Sequence, residues 1–281
     1  MKFTQLTTAL GAEGVSTSLS DTLSSTDLAS VEDALNKYLV ICIRNLNLNA
    51  ETLLSLSENF GEIGETPYLE TISESPGVVR VVRETNDKGP LFGDGWHSDW
   101  SFQVCPPSYT LLYAVETPPY GGDTIFSNQF CVFETLPKAY QQFLSGLTGI
   151  HSARRSYSSS GTFGKGSPTQ SMTIHSSDDA LDTQLHPLVR VHPVTGRKAL
   201  FINPIYTIGI DGFLESDSAP MLSTLFHRST QSANTCRVRW TKGTLVIWDN
   251  RCTLHTAVND YSGYRREMYR ITIAGERPIS T

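Results

Sequence analysis

The spacing of hydrophobic and polar residues changes character near residue 78. Before that point, the run Ser24–Asp27 predicts the N-terminal cap of a helix that continues to about Lys37. The apolar run Tyr38–Ile43 predicts a buried strand, and a second helix is predicted from about Ala50 to Phe60, ending near Gly61. The first part of the chain therefore mixes helices with a strand.

From residue 78 onward, short β-rich runs alternate with Gly and Pro. The clearest of these runs are Val78–Val82, Tyr109–Tyr113, Ala199–Ile202 and Thr244–Trp248. This texture is typical of a sandwich or a barrel. Because no internal repeat or long linker interrupts the sequence, we expect one domain over residues 1–281, mainly β with flanking helices.

One stretch, residues 153–182, is rich in Ser, Gly and Thr and has little apolar periodicity. Its composition predicts a mobile loop. Long loops inside a compact domain are often lids over a functional site, so a lid is the expected role and plain disorder is the alternative.

Charge and hydropathy exclude some classes of partner. The 281 residues include 22 basic and 28 acidic side chains, a net charge of −6, with no basic block that could grip a phosphate backbone. The longest strongly apolar run is too short to cross a bilayer, and the N-terminus lacks a long apolar signal region. We therefore expect a cytoplasmic protein with no nucleic-acid partner and no membrane contact.

Candidate metal chemistry begins with His97 and Asp99. In an extended strand these two side chains would project from the same face, although an isolated H-x-D tripeptide is a weak signal. A third ligand is available in His255, just beyond the predicted strand Thr244–Trp248. Two His and one carboxylate leave three coordination positions open, which is the arrangement of non-haem Fe(II) oxygenases. A zinc hydrolase is the competing interpretation.

The last predicted strand, Tyr264–Ile273, carries two arginines on one face. Strand alternation groups Arg266 and Arg270 with Met268 and Thr272. The two arginines are four residues apart, about 13 Å along a strand, so they suit two separate anions better than one. Surface salt bridges are the alternative.

Five separated motifs resemble the taurine dioxygenase (TauD/TfdA) family, which includes aryloxyalkanoate dioxygenases. In chain order they are Trp96–Asp99, Gly121–Thr124, His186–Pro193 with Thr195–Phe201, Trp248–Arg251 with His255, and Arg265–Arg266 with Arg270. The similarity extends from about Gly61 to Pro278.

This resemblance implies a double-stranded β-helix (jelly-roll) fold, Fe(II), 2-oxoglutarate as cosubstrate and O2. By the same resemblance, His97, Asp99 and His255 would hold the iron. Arg266, assisted by the hydroxyl of Thr124, would bind the distal carboxylate of 2-oxoglutarate. Asp249 and Asn250 are expected to hold the turn before His255.

Arg270 would receive the anionic group of a small carboxylate or sulfonate substrate. Taurine-specific relatives carry polar residues before the H-x-D motif and an imidazole in an earlier loop, and both are missing here. Four aromatic residues are predicted to form an apolar pocket wall instead, namely Phe92, Trp100, Phe102 and Tyr206. A larger or more hydrophobic acid than taurine is therefore expected.

The expected reaction is oxidation of a C–H bond, by hydroxylation, with release of succinate and CO2. Desaturation or cyclisation by the same enzyme class and a non-catalytic metal and 2-oxoglutarate sensor are the alternatives. Self-association into a homo-oligomer is implied only by the tendency of the family to associate.

Overall fold

The computed structural model describes residues 1–15, 24–164 and 171–281. Its strands are β1 (Phe3–Gln5), β2 (Ala12–Val15), β3 (Val40–Arg44), β4 (Thr71–Ile72), β5 (Ser75–Arg83), β6 (Tyr109–Glu116), β7 (Thr124–Asn128), β8 (Thr148–His151), β9 (Gln184–Pro187), β10 (Val189–Val191), β11 (Lys198–Leu200), β12 (Thr207–Ile210), β13 (Thr235–Val238), β14 (Leu245–Asp249), β15 (Thr253–Ala257), β16 (Arg266–Thr272) and β17 (Ile279–Ser280). Its α-helices are α1 (Ser25–Tyr38), α2 (Ala50–Ser57), α3 (Gln129–Glu134), α4 (Lys138–Ser145), α5 (Arg154–Tyr157) and α6 (Glu215–Ser229), and short 3-10 helices span Glu58–Phe60, Asp178–Leu181 and Ser232–Asn234.

The strands form one large sheet and three small ones. The large sheet has the order β1-β2-β3-β14-β6-β16-β5-β4, and the small sheets are β13-β7-β15, β12-β8-β9 and β11-β10-β17. β2 and β3 run parallel, whereas β14, β6, β16 and β5 are paired antiparallel at the centre of the large sheet.

Strand alternation gives the large sheet two apolar faces. Leu245 and Ile247 of β14 belong to a cluster that includes Leu35 of α1 and Leu53 of α2. Val246 and Trp248, the alternate residues, belong to the core that includes Phe126 of the β13-β7-β15 sheet. Helices α1 and α2 therefore cover one face of the large sheet, and the β13-β7-β15 sheet packs on the other face. The expected jelly roll is confirmed.

Local sequence signals place the first elements well. The Ser24 side chain accepts a hydrogen bond from the backbone N–H of Asp27 and caps α1, as predicted. The helix includes Tyr38 because the turn closes at Leu39, whose φ is 66° and whose N–H bonds to the carbonyl of Leu35. The following strand therefore starts at Val40, two residues later than predicted.

The prediction that His97 and Asp99 lie in an extended strand is wrong. His97 makes only an isolated β-bridge, and Asp99 begins a turn whose next residue, Trp100, has a φ of 44°. A left-handed conformation is unusual for a bulky residue, and such strain is typical of functional sites.

The structure describes both ends of the Ser/Gly-rich stretch, 153–164 and 171–182. The first end contains α5, whose Tyr157 is buried. Residues 165–170 lie outside the described residues, so the lid stays a prediction. None of the helices in the described part of the chain combines the length and hydrophobicity that a membrane crossing requires.

Replacing Ile247 by Ala should lower the free energy of unfolding by about 2–5 kcal/mol, because this side chain is buried between the large sheet and its helices. Val194→Ala, at a site that is 61% exposed, is the matched control and should change it by less than about 0.5 kcal/mol. Urea denaturation measures both, and equal stabilities for the two variants would contradict the assigned core.

Candidate metal centre

A backbone bridge brings His97 and His255 together. The N–H of His97 donates to the carbonyl of His255 (3.0 Å), and the N–H of His255 donates to the carbonyl of His97 (2.8 Å). The two imidazole rings lie with their centroids 4.2 Å apart. His255 belongs to β15 of the β13-β7-β15 sheet, so this sheet holds His255 in place. The backbone bridge then holds His97 beside it.

Asp99 completes a three-residue cluster. Its Oδ1 lies 3.6 Å from Nε2 of His97 and 3.8 Å from Nε2 of His255. One ligand atom from each of the three residues lies within 4.8 Å of the others, and all three residues are buried. The three groups predicted from distant parts of the sequence therefore converge.

The hydrogen bonds and charges around these groups suit a divalent metal. Nδ1 of His97 lies 2.7 Å from the carbonyl of Gly95, which can only accept, so Nδ1 is the donor and Nε2 is the ring nitrogen that faces Asp99. Burial, reinforced by His97, lowers the pKa of His255 to about 3. Burial alone would raise the pKa of Asp99, but Arg270 and the two histidines hold it well below its usual range. Two imidazoles and one carboxylate match the ligands of a non-haem Fe(II) site.

A second buried cluster of His192, Asp249 and Cys252 is not suited to a metal. Nδ1 of His192 accepts from the backbone N–H groups of Val194 and Thr195, while its Nε2 contacts Asp249 Oδ2 at 2.9 Å. Both carboxylate oxygens of Asp249 also accept from Arg251. The groups are already satisfied, so this cluster holds the turn before His255, the structural role expected for Asp249.

The cavity beside the three ligands, here called the inner cavity, has a volume of about 40 Å³. Its lining includes His97, Asp99 and His255 together with Thr124, Arg266 and Arg270. The two arginines share one face of β16, as predicted, and both are buried.

Arg266 is a buried cation with spare hydrogen-bonding capacity. Its Nε has no hydrogen-bond partner among the described residues, and its guanidinium lies 5.8 Å from the ring centre of Trp240. Nε1 of Trp240 donates to Oγ1 of Thr124 (2.9 Å). Since this bond uses an acceptor position of the hydroxyl, its proton is left for another acceptor. Arg266 and Thr124 can therefore both donate to an anion in the inner cavity.

Arg270 lies directly beside the proposed metal ligand Asp99. Its Nη2 is 2.8 Å from Asp99 Oδ1, and its guanidinium lies 5.1 Å from the ring centre of Trp100. Neither Nη1 nor Nη2 makes a hydrogen bond of good geometry within the described residues. Arg270 therefore contributes an ion pair to Asp99 and keeps donors for a further anion.

A second cavity, here called the outer cavity, has a volume of about 220 Å³ and also reaches two of the ligands. Its lining includes Phe92, Trp100 and Tyr206, three of the four predicted wall residues, together with His97 and Asp99. Phe102 is not part of this lining. It packs behind the wall with its ring centre 5.0 Å from that of Tyr206, and it faces a separate cleft.

Comparison with known proteins decides the family. The family model described as Taurine catabolism dioxygenase TauD, TfdA family matches residues 2–272. The chain belongs to this family.

An alkylsulfatase from Acinetobacter baylyi is 32% identical to this TauD/TfdA protein, with 98% of this chain and 86% of that protein covered. An alpha-ketoglutarate-dependent (that is, 2-oxoglutarate-dependent) sulfonate dioxygenase from Saccharomyces cerevisiae is 33% identical over 80% of this chain, which spans 52% of that longer protein. A crystal structure of a taurine dioxygenase from Burkholderia xenovorans has a TM-score of 0.82 and 29% identity, covering 99% of this chain and 92% of that one.

The protein is therefore a 2-oxoglutarate-dependent non-haem iron dioxygenase that uses Fe(II), 2-oxoglutarate and O2. The zinc-hydrolase interpretation is wrong. Within the described residues, the His97, Asp99 and His255 cluster has the donor set that this enzyme class requires.

Sequence reasoning missed several residues that line or support the two cavities. Tyr157 and Phe163 line the outer cavity, yet both lie in the segment predicted to be a loop. Trp240 and Thr110 contact site residues by hydrogen bonds from other parts of the chain. The indole N–H of Trp240 donates to Thr124, and the hydroxyl of Thr110 donates to Asp99. No local motif marks such contacts, because they exist only after the sheets have packed.

Replacing Trp240 by Phe should weaken 2-oxoglutarate binding about 2- to 10-fold, since Thr124 loses the donor that orients its hydroxyl. Mn(II) affinity should not change. Titrating 2-oxoglutarate into the Mn(II)-loaded protein measures the first affinity by calorimetry, and titrating Mn(II) into the metal-free protein measures the second. Thr124→Val should give a similar loss, and the double variant should lose little more than either single one. Additive losses would show that the two residues act independently.

Proposed function

We propose that this dioxygenase hydroxylates a C–H bond of a small organic anion with an apolar body, with a sulfate ester or sulfonate as the first candidate and a carboxylate as the second. The observation that carries the proposal is the meeting of two separate cavities at His97 and Asp99. One cavity offers buried cationic and hydroxyl donors, and the other offers aromatic walls.

We assign the inner cavity to 2-oxoglutarate. Arg266 is buried and always charged, and its planar fork matches a carboxylate. Thr124 adds a hydroxyl donor whose acceptor side already receives the indole N–H of Trp240. Placing the distal carboxylate of 2-oxoglutarate here points its keto-acid end towards His97, Asp99 and His255.

The primary substrate is assigned to the outer cavity. Phe92, Trp100 and Tyr206 supply apolar and aromatic surface for the substrate body. Arg270 lines the inner cavity but lies against Asp99 and Trp100, which line the outer cavity, so it would anchor the anionic group where the two cavities meet. The sulfonate and alkyl sulfate substrates named for the yeast and Acinetobacter relatives carry such a group.

The role of the protein in the reaction is to hold and orient. His97, Asp99 and His255 would hold Fe(II), which with 2-oxoglutarate and O2 supplies the oxidising power for C–H attack while succinate and CO2 are released. Each of the three residues is less than 10% exposed, so the site limits the access of bulk water. The substrate carbon that lies nearest the metal is the one oxidised.

The remaining expectations are part of the same proposal. They are a single catalytic domain with a lid at about 153–182, a cytoplasmic location, self-association, and no nucleic-acid or membrane partner. Desaturation or cyclisation would differ only in the product, and a sensor would bind without forming succinate.

Propane-1-sulfonate should be turned over at least about tenfold faster than taurine at equal low concentration. The two molecules have nearly the same shape, but taurine places an ammonium where the other has a methyl group, and that charge would be desolvated against the aromatic wall. Substrate-dependent succinate release, with alkyl sulfates and aryloxyacetates in the same panel, measures the preference. Faster turnover of taurine would contradict the proposed pocket, and succinate from none of these acids would favour the sensor.

Arg266→Ala should raise the apparent KM for 2-oxoglutarate by at least about 30-fold, and Arg270→Ala should do the same for the primary substrate. The reason is that each truncation leaves one anion without its buried partner. Arg197→Ala, which removes a partly exposed arginine paired with Glu134, is the control and should change neither constant. Interchanged effects would mean that the two arginines have the opposite assignments.

A further inference from the structure

The two carboxylate oxygens of Asp99 have different surroundings. Oδ2 accepts a hydrogen bond from the hydroxyl of Thr110 at 2.6 Å. Oδ1 faces Nε2 of His97 and Nε2 of His255 and pairs with Arg270. Asp99 and Thr110 are both almost fully buried, at 4% and 0% exposure. The carboxylate therefore has one oxygen held by the sheet and one oxygen presented to the metal ligands.

The direction of the Thr110 hydrogen bond is set by its neighbours. Nδ2 of Asn250 donates to Oγ1 of Thr110 (2.8 Å), and Nε1 of Trp248 donates to Oδ1 of Asn250 (2.9 Å). The backbone N–H of Asp99 donates to the same amide oxygen at 3.3 Å. Because an indole N–H can only donate and an ionised carboxylate can only accept, the chain Trp248–Asn250–Thr110–Asp99 has a single possible polarity.

We propose that Thr110 is a positioning residue of the iron site. Its hydroxyl occupies Oδ2 of Asp99 and thereby directs Oδ1 towards the metal, so that Asp99 offers one oxygen rather than two. This inference rests on the proposed role of Asp99 as an iron ligand. Hydrogen bonds to the ligands of a metal commonly fix ligand orientation and metal affinity.

The strand that carries Thr110 holds its hydroxyl in a fixed position. Thr110 lies in β6, which pairs with both β14 and β16, so it is held in the centre of the large sheet. Its neighbours across the two pairings are Trp248 and Thr272. The hydroxyl is therefore presented to Asp99 from a rigid element, whereas Asp99 itself lies in a turn.

The decisive test is Mn(II) binding to Thr110→Val, measured by titration calorimetry without 2-oxoglutarate. Valine has nearly the same shape and removes the hydroxyl, and we expect Mn(II) affinity to fall about 10- to 100-fold. Thr110→Ser, which keeps the hydroxyl, should bind Mn(II) within about threefold of the native protein. If Thr110→Val does not fold, Thr110→Ala removes the same donor and takes its place in the comparison.

The matched control is Thr272→Val. Thr272 is the cross-strand partner of Thr110 and is equally buried, but its hydroxyl has no hydrogen-bond partner among the described residues. This variant should keep native Mn(II) affinity. Thermal unfolding of all variants separates lost stability from lost metal binding, because a merely structural threonine would lower the melting temperature and leave the affinity unchanged.

Native Mn(II) affinity in folded Thr110→Val would overturn the inference and leave the proposed function standing. Failure of the proposed function has a different signature, in which native protein loaded with Fe(II) and 2-oxoglutarate forms no succinate with any acid. The Mn(II) comparison does not depend on turnover, so the two failures are distinguishable.

Discussion

The ionised carboxylate of Asp99, buried inside the jelly roll, is the group on which the site depends. An isolated buried carboxylate would take up a proton and lose its ability to bind a metal. Here Arg270 and two imidazoles approach Oδ1, while the Thr110 hydroxyl bonds to Oδ2. Arg270 and the two histidines hold the pKa of Asp99 well below its usual range, although burial alone would raise it. The carboxylate is therefore charged and oriented before any metal arrives.

The fold supplies these contacts by facing two sheets towards each other. The small β13-β7-β15 sheet carries His255 and Thr124, and the large sheet carries Thr110, Arg266 and Arg270. Because α1 and α2 cover the opposite face of the large sheet, its inner face is free to hold polar groups beside the apolar core. Two cavities then meet at His97 and Asp99.

Local sequence patterns predicted several of these elements and the faces on which their side chains lie. Strand alternation was sufficient to place Arg266 and Arg270 on one face of β16, and the helix-capping signal at Ser24 located α1. The ligand types of a two-histidine, one-carboxylate site suggested grouping His97, Asp99 and His255, and the resemblance of separated motifs to one family then supported that grouping. Those predictions succeeded because each depends on backbone periodicity or on motif order.

The errors have a common physical origin in tertiary contacts. The His97–Asp99 segment is not a strand, because the bridge to His255 involves one residue and the chain then turns at Trp100. Phe102 packs behind the pocket wall, although its position beside Trp100 in the sequence favoured the wall itself. Trp240 was missed because its contacts with Thr124 and Arg266 come from a distant part of the chain. Packing of the two sheets determines all of these features.

The most direct test of the central claim is an anaerobic titration of the protein with Fe(II) in the presence of 2-oxoglutarate, followed by visible absorption. The account predicts a weak charge-transfer band that saturates at one Fe(II) per chain and is absent from the His97→Ala and Asp99→Ala proteins. A band of native intensity in either variant, or saturation without any band in the native protein, would contradict the claim that these side chains bind one iron and leave positions free for 2-oxoglutarate.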